Sequence, residues 1–263
     1  DHTLLRSDVI CLTETWLLDE TSDFYDIDGY NIFLNNVKKG KGIAIYAKPS
    51  FSHVCNANGE DFQITKITSN DIDIICVYRS KDGSIEELYA KLYSILTPSK
   101  PTLICGDFNI CALKNPKNFL TQSLVRETFQ QMVKYSTHIK GGLLDHVYVK
   151  NTPEICNIYH HSVYYSDHDG ICITFGSEQQ ISDKNSPKRK YNNNNNEKDS
   201  KQTKVPKKRK SSITGDERDS KKSKISTKVD LQKPSKQNMD MHVCVWCFKS
   251  EAQCDCYIDT ANF

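Results

Sequence analysis

Short apolar runs separated by polar turns recur along the first 175 residues of the chain. Runs of about four to eight residues that are rich in Val, Ile and aromatic residues, and bounded by turn formers, are typical of β-strands. The predicted strands cover residues 8–13, 31–34, 42–47, 62–67, 72–78, 102–105, 144–149, 163–165 and 171–175. The pattern therefore predicts a protein built mainly from strands.

Two stretches have a helical pattern instead. Residues 84–96 begin with Ser84 and two Glu residues, which suit a helix N-terminus. Residues 119–135 place apolar residues such as Leu120 and Leu124 along one face. Many strands with few helices predict an α/β fold of two packed sheets with helices outside, rather than a parallel α/β alternation.

The composition changes after residue 175. Residues 1–175 hold 16 Lys and Arg against 21 Asp and Glu, a net charge of −5. Residues 176–240 hold 18 against 9, a net charge of +9, with almost no large apolar residues. This composition predicts a disordered basic linker. Residues 241–263 regain apolar and Cys residues and predict a small separate element.

The linker carries two dense basic strings, PKRK and VPKKRK. The second contains Lys207, Lys208, Arg209 and Lys210, and such clusters are typical of nuclear import signals. The alternative is a solvated linker that binds nucleic acid loosely through phosphates. The first reading predicts a nuclear protein.

Eight of the eleven cysteines fall into two groups. Cys11, Cys76, Cys105 and Cys172 sit in apolar runs, where a free thiol behaves as a small hydrophobic group. No signal peptide and no apolar run long enough to span a membrane are found, so we expect a reducing, intracellular compartment and no membrane partner.

The second group lies near the end of the chain. The candidate zinc ligands there are Cys244, Cys247, Cys254 and Cys256. Zinc takes four tetrahedral thiolate or imidazole ligands, and the C-x-x-C half has a usual spacing. The C-x-C half is less usual, so free thiols remain the alternative.

Four strings concentrate carboxylates, amides and a histidine at strand ends. They are LTETWL with Glu14, CGDFNI with Asp107 and Asn109, GGLLDHVYV with Asp145, and YYSDHDGI with Asp167 and His168. Phosphodiester hydrolysis uses a hard cation held by oxygen ligands and a base, often a His, that activates water. The four strings together therefore predict phosphodiester chemistry.

The ordered set ETW, GDFN, LDHV and SDH resembles the endonuclease/exonuclease/phosphatase superfamily. The likeness is strongest to endonuclease domains of animal non-LTR retrotransposons and of helicase-bearing mobile elements. It implies a four-layer α/β/β/α sandwich of the DNase I-like kind over residues 1–175. It also implies Mg²⁺ or Mn²⁺ as cofactor and DNA as partner, with further modules of a mobile-element polyprotein as additional partners.

The resemblance assigns roles to residues at matching positions. Asp107 resembles the residue that positions or activates the nucleophilic water, and Asn109 its amide neighbour. His168 resembles the catalytic histidine and Asp145 the carboxylate that orients it.

The remaining assignments concern the cation and the phosphate. Glu14 resembles the metal-binding glutamate and Asp167 a second metal-site carboxylate. Tyr78 resembles the tyrosine that contacts the scissile phosphate. The Pro that often follows this tyrosine is missing, so Arg79 is an alternative phosphate contact.

Other histidines have weaker signals. His146 alternates with Asp145 along a strand, so it should face the opposite side and serve packing or substrate contact. His160 and His161 are expected to be surface or turn residues. Thr137 and His138 lie in a loop where a substrate contact and a purely structural role are equally open.

The family also begins with a strand that carries an Asn near the metal, and no such strand precedes Asp1. We therefore expect a gap inside one sheet, low stability and weak activity. Two alternatives to a DNA-nicking enzyme stay open. One is a phosphatase for phosphoinositides or other small phosphates, and the other is an inactive DNA-binding remnant.

Overall fold

A computed structural model describes residues 6–17, 25–37, 41–152, 155–163, 166–176 and 241–247. All of them belong to one compact unit. Nearly all of the predicted linker, with the import cluster Lys207 to Lys210, lies outside the described residues, as do Cys254 and Cys256. Among the described residues, none of the helices has the length and apolar character needed to span a membrane.

Twelve strands of the described residues form two six-stranded sheets. The first sheet has the order β10-β11-β12-β1-β3-β2, and the second has the order β4-β5-β6-β7-β9-β8. The strands are β1 (Val9–Thr13), β2 (Asn31–Asn35), β3 (Ile43–Ala47), β4 (Ser52–Asn56), β5 (Phe62–Thr68), β6 (Asp73–Arg79), β7 (Thr102–Asp107), β8 (Gln130–Gln131), β9 (Asp145–Lys150), β10 (Ile155–His161), β11 (Gly170–Phe175) and β12 (Met241–Cys247). The helices are α1 (Ile85–Ile95) and α2 (Phe119–Arg126).

The main core lies between the two sheets. Alternate residues of strands from both sheets meet there, including Val9, Ile45, Ile74 and Val147. Both helices pack on the outer face of the second sheet through their buried leucines. The predicted fold of two packed sheets with outer helices is confirmed.

Most predicted strands form within one or two residues of the expected bounds. The helix predicted over residues 119–135 is wrong in its second half, because Thr128 adopts a left-handed φ of 67° after α2 ends. The chain then pairs with β9 as the short strand β8. Of the strand predicted over residues 163–165, Val163 lies outside any strand and the other two residues lie outside the described residues, while β10 ends at His161.

The segment predicted to be a separate Cys-rich element contributes a central strand. β12 lies between β1 and β11, parallel to the first and antiparallel to the second. Its residues Met241, Val243 and Val245 enter the core between the sheets. The gap that we expected inside a sheet is therefore absent from this sheet, because β12 pairs with both neighbours.

The same strand also contradicts a shared zinc site for Cys244 and Cys247. Side chains alternate along a strand, so these two residues face opposite sides of the sheet. The Cys244 sulfur lies 2.8 Å from that of Cys172, in the outer cluster with Trp246. Cys247 instead ends the strand on the other face. One tetrahedral ion cannot be bound by both thiols.

Cys11, Cys76, Cys105 and Cys172, the cysteines predicted to be core thiols, are all buried free cysteines. That prediction is confirmed for each of them.

A buried ion triad stabilises the second sheet at the end opposite the predicted site. Asp73 lies 2.7 Å from the Lys66 ammonium and 3.0 Å from that of Lys100. Burial alone would raise the pKa of Asp73, but hydrogen bonds from Lys66, Thr68 and Lys100 outweigh it and lower the pKa from 3.8 to about 2. The carboxylate is thus strongly favoured in the folded state.

We expect Asp73→Asn to destabilise the protein by about 3–5 kcal/mol, because it leaves Lys66 buried without a counter-charge. Urea denaturation at pH 7 measures this loss, and the exposed Asp71→Asn is the matched control. Because the pKa of Asp73 is lower in the folded protein than in the unfolded chain, its carboxylate stabilises the fold above pH 4. This stabilisation is lost as the pH falls toward 2. The wild type should lose about 2 kcal/mol over this range through Asp73. An Asp73→Asn variant as stable as Asp71→Asn would contradict the assignment.

Candidate active site

The predicted site residues meet where strands of both sheets end. The parallel strands β6 and β7 bring Tyr78 beside Asp107, and β9 begins opposite β7 with Asp145. In the first sheet, Glu14 directly follows β1, whose last residue Thr13 pairs with Cys247 of β12. The topology therefore places residues from distant parts of the chain at one edge.

A buried histidine–carboxylate pair lies at the centre of this edge. His168 Nδ1 lies 2.7 Å from Asp145 Oδ2, and both side chains are 4% exposed. Burial alone would lower the pKa of His168, but the charge and hydrogen bond of Asp145 outweigh it and raise the pKa to about 9. The pair leaves Nε2 as the ring nitrogen that can act on a substrate.

A loop residue fixes the position of this pair. The buried Thr137 hydroxyl accepts hydrogen bonds of 3.1 Å from the backbone N–H groups of Leu144 and Asp145. Its carbonyl accepts one of 2.7 Å from the Asp169 N–H. Thr137 therefore joins the start of β9 to the segment that carries His168, which favours the structural alternative left open for this residue.

Asp107 is held by Asn109, two residues further along the same string. The Asn109 backbone N–H donates to one carboxylate oxygen at 2.9 Å, and the Asn109 side chain donates to the other at 3.0 Å. Asn109 adopts a left-handed φ of 50°, which turns both donors onto Asp107. Burial, followed by the charge of Asp145, raises the pKa of Asp107 to about 8. A left-handed backbone at a residue other than glycine, as at Asn109, is common at functional sites.

Gly106 allows β7 to approach β6 at this point. Its φ is +130°, and an added Cβ would lie 2.0 Å from the Val77 carbonyl oxygen. Only glycine satisfies both conditions. The Gly of the GDFN string is therefore a backbone requirement that places Asp107 at the edge.

Glu14 and Tyr78 form a second buried contact. Glu14 has a left-handed φ of 52° and is 9% exposed. Burial, followed by the charge and hydrogen bond of Glu14, raises the pKa of Tyr78. The hydroxyl therefore stays protonated and able to donate a hydrogen bond.

Arg79 does not face the cleft as a phosphate contact. Its guanidinium donates to the backbone carbonyls of Ser80, Lys81 and Phe108 at 2.9–3.3 Å, and the residue is 5% exposed. The alternative contact that we considered is therefore wrong. Arg79 instead supports the two strand ends that carry Tyr78 and Asp107.

Two groups of side chains could each hold a metal ion among the described residues. One consists of Asp107, His168 and Cys247, and the other of His138, Asp167 and His168. The predicted pair of Glu14 and Asp167 is not brought together in either group.

A divalent cation fits this edge on electrostatic grounds. Asp167 Oδ1 is buried and has no hydrogen-bond partner among the described residues. Asp107 lies close enough to Asp145 and Glu14 for their charges to raise its pKa. A bound cation would relieve both conditions, because it would accept Asp167 Oδ1 as a ligand and add positive charge beside these carboxylates.

Of the remaining histidines, His138 lies at the site, whereas His146 and His160 do not. His138 lies beside the pair, with Nε2 3.3 Å from Asp167 Oδ2 and its ring 4.8 Å from that of His168. His146 is buried, and its ring contacts the Tyr148 hydroxyl and the Ile110 carbonyl, so its predicted packing role is confirmed. His160 is exposed and pairs with Asp169. Sequence reasoning undervalued His138, and it assigned Cys247 to a separate zinc site rather than to this edge.

The model of the Endonuclease/Exonuclease/phosphatase family matches residues 2–168 of this chain. An AP endonuclease from Archaeoglobus fulgidus has a similar structure, with a TM-score of 0.50 and 16% identity over 64% of this chain and 88% of that one. The endonuclease domain of TRAS1, a telomere-specific non-LTR retrotransposon, has a TM-score of 0.46 and 12% identity, over 63% of this chain and 96% of that one. Truncated TDP2 from Caenorhabditis elegans has a TM-score of 0.48 and 12% identity, over 64% of this chain and 84% of that one. No curated protein matches the chain.

Proposed function

This chain belongs to the Endonuclease/Exonuclease/phosphatase family, and we propose that it is a metal-dependent endonuclease that nicks DNA. The observation that carries the proposal is the buried His168–Asp145 pair next to Asp107. A histidine oriented by a carboxylate, beside a second carboxylate of raised pKa, is the arrangement expected of acid–base chemistry.

The residues divide the work as follows. Asp145 holds the Nδ1 side of His168, so Nε2 faces the phosphate and can exchange a proton there. Asn109 holds Asp107, which orients the attacking water. Tyr78 contacts the phosphate, and its hydroxyl exchanges the Glu14 carboxylate for a phosphate oxygen as hydrogen-bond acceptor.

Mg²⁺ or Mn²⁺ is proposed to bind at this edge through a carboxylate of Glu14 or of Asp167, which do not share one group of candidate ligands. When bound, such a cation neutralises charge on the phosphate.

DNA is favoured over a small phosphate by the charge distribution of the sequence. The first 175 residues are acidic, and a net charge of +9 is concentrated in residues 176–240. Lys and Arg that neutralise backbone phosphates bind nucleic acid independently of sequence. We propose that this segment supplies DNA affinity and, through Lys207 to Lys210, nuclear import. A mobile-element origin would fit both roles.

The test compares substrates on the full chain. We expect supercoiled plasmid to be nicked in Mg²⁺ or Mn²⁺ and left intact with chelator, while phosphoinositides release no phosphate. Nicking should weaken steeply with salt if the basic segment binds the DNA backbone. Phosphate release from phosphoinositides without plasmid nicking would favour the phosphatase alternative. Inactivity on both substrates would favour the remnant.

A further inference from the structure

Cys247 introduces a thiol into an otherwise oxygen and nitrogen site. It ends β12, while Asp107 ends β7 and His168 precedes β11. One ligand atom from each of the three lies within 4.8 Å of the others, and all three residues are buried. Three side chains at the ends of three strands, drawn from both sheets, therefore meet at a buried point.

We propose that Asp107, His168 and Cys247 bind one zinc ion. Thiolate, imidazole and carboxylate are the ligands that zinc takes, at about 2.0–2.3 Å each. Two ligands of one ion are then about 4 Å apart at most, so small side-chain movements close the observed spacing. Three protein ligands leave a fourth position for water.

The surroundings of the ligands support this assignment. Metal-binding histidines usually donate their other ring nitrogen to a carboxylate, which fixes the tautomer and the ring orientation. His168 has this arrangement through Asp145 at 2.7 Å, with Nε2 left for the ion. Asp107 is fixed in the same way by two hydrogen bonds from Asn109. Both ligands are pre-positioned before any ion binds.

The thiol determines which ion is preferred. Mg²⁺ favours oxygen ligands, whereas thiolates select zinc and other soft metals. Zinc in this group occupies both His168 Nε2 and the Asp107 carboxylate. Resting on the proposed nuclease function, the inference is therefore that zinc inhibits the enzyme by binding two of its catalytic groups.

The test measures metal binding directly, without relying on activity. The metal-free full chain is titrated with Zn²⁺ in equilibrium dialysis and with Co²⁺, whose thiolate charge-transfer absorbance reports a sulfur ligand. We expect one ion per chain in the wild type. Cys247→Ser should lose the absorbance and more than about 100-fold in affinity, because loss of a mere orienting partner already costs about 10–100-fold.

Cys244→Ser is the matched control, since this residue lies three positions away on the other face of β12. It should bind zinc like the wild type, as should a Cys254→Ser, Cys256→Ser double variant. His168→Ala should bind weakly. Thermal melts exclude misfolding of any variant that fails to bind.

Equal zinc affinity in Cys247→Ser and the wild type would overturn the proposal. So would loss of binding in the Cys254→Ser, Cys256→Ser variant, because it would place the ion on the terminal cysteines. Zinc should also suppress nicking in the wild type. If no variant nicks DNA but binding follows Cys247, the nuclease proposal fails while the zinc site stands.

Discussion

Removing β12 is expected to unfold the protein. A chain that stops after residue 235 lacks a central strand whose Met241, Val243, Val245 and Trp246 side chains are each at most 4% exposed. Burying one such side chain contributes about 1.5–3 kcal/mol, and a domain of this size has only about 5–15 kcal/mol in total. The truncated chain should show no cooperative thermal transition by circular dichroism.

Point substitutions separate the role of the strand from that of the tail as a whole. Val243→Asp places a charge in the core between the sheets and should abolish or strongly lower the transition. His242→Asp is the matched control, because that side chain is exposed on the opposite face. Equal melting temperatures for Val243→Asp and His242→Asp, or a stable chain of 235 residues, would show that β12 is dispensable.

The sequence predicted local structure well where the pattern was continuous. The apolar, β-branched composition of β5, β6, β7 and β9 identified them as strands. Ser84 caps α1 by accepting a hydrogen bond from the Glu87 N–H, as expected. The end of α2 was missed, because Thr128 can take a left-handed conformation and Phe129 turns back to bond Leu124. Such a local reversal leaves no periodic signal.

β12 could not be predicted, because its partners are remote in the chain. Cys172 and Cys244 pair across 72 positions, and Asp8 contacts His242 across 234. The HVCVWC string is a nearly continuous apolar run, as expected of a strand buried on both faces, yet its cysteine spacing suggested a zinc site. Pairing of this range is decided by tertiary packing rather than by local pattern.

The motif residues of the site were predictable from the sequence, but the residues that contact them from distant parts of the chain were not. Asp107 and Asn109 form their contact within one short loop, so the string alone was informative. Thr137 and Cys247 act only through contacts formed in the folded chain. Thr137 carried no motif, and the C-x-x-C string of Cys247 indicated a different site, so only the assembled sheets show that both residues belong to this edge.

The second large effect concerns catalysis. His168→Ala and Asp107→Asn should each lower the rate of DNA nicking by about 10²–10⁴-fold, the usual cost of losing an acid–base group. In the proposed mechanism His168 supplies the proton-exchanging Nε2 and Asp107 orients the water, so neither loss is compensated by a neighbour. Single-turnover cleavage of a labelled duplex at saturating Mg²⁺ measures the rate without contributions from product release.

His53→Ala is the control for these variants, because His53 is exposed on β4 in the second sheet, outside the group of site residues. It should cleave at the wild-type rate and melt at the wild-type temperature. Asp145→Asn should also lower the rate strongly, since it leaves His168 in place but removes the carboxylate that fixes its tautomer and orientation.

The most direct test of the central claim is the ratio of single-turnover nicking rates for wild type and His168→Ala, measured on folded, full-length protein. The proposed site predicts a ratio of at least about 100, with activity abolished by chelator in the wild type. Equal rates for the two proteins, once contaminating nuclease is excluded, would contradict the assignment of this edge as the active site.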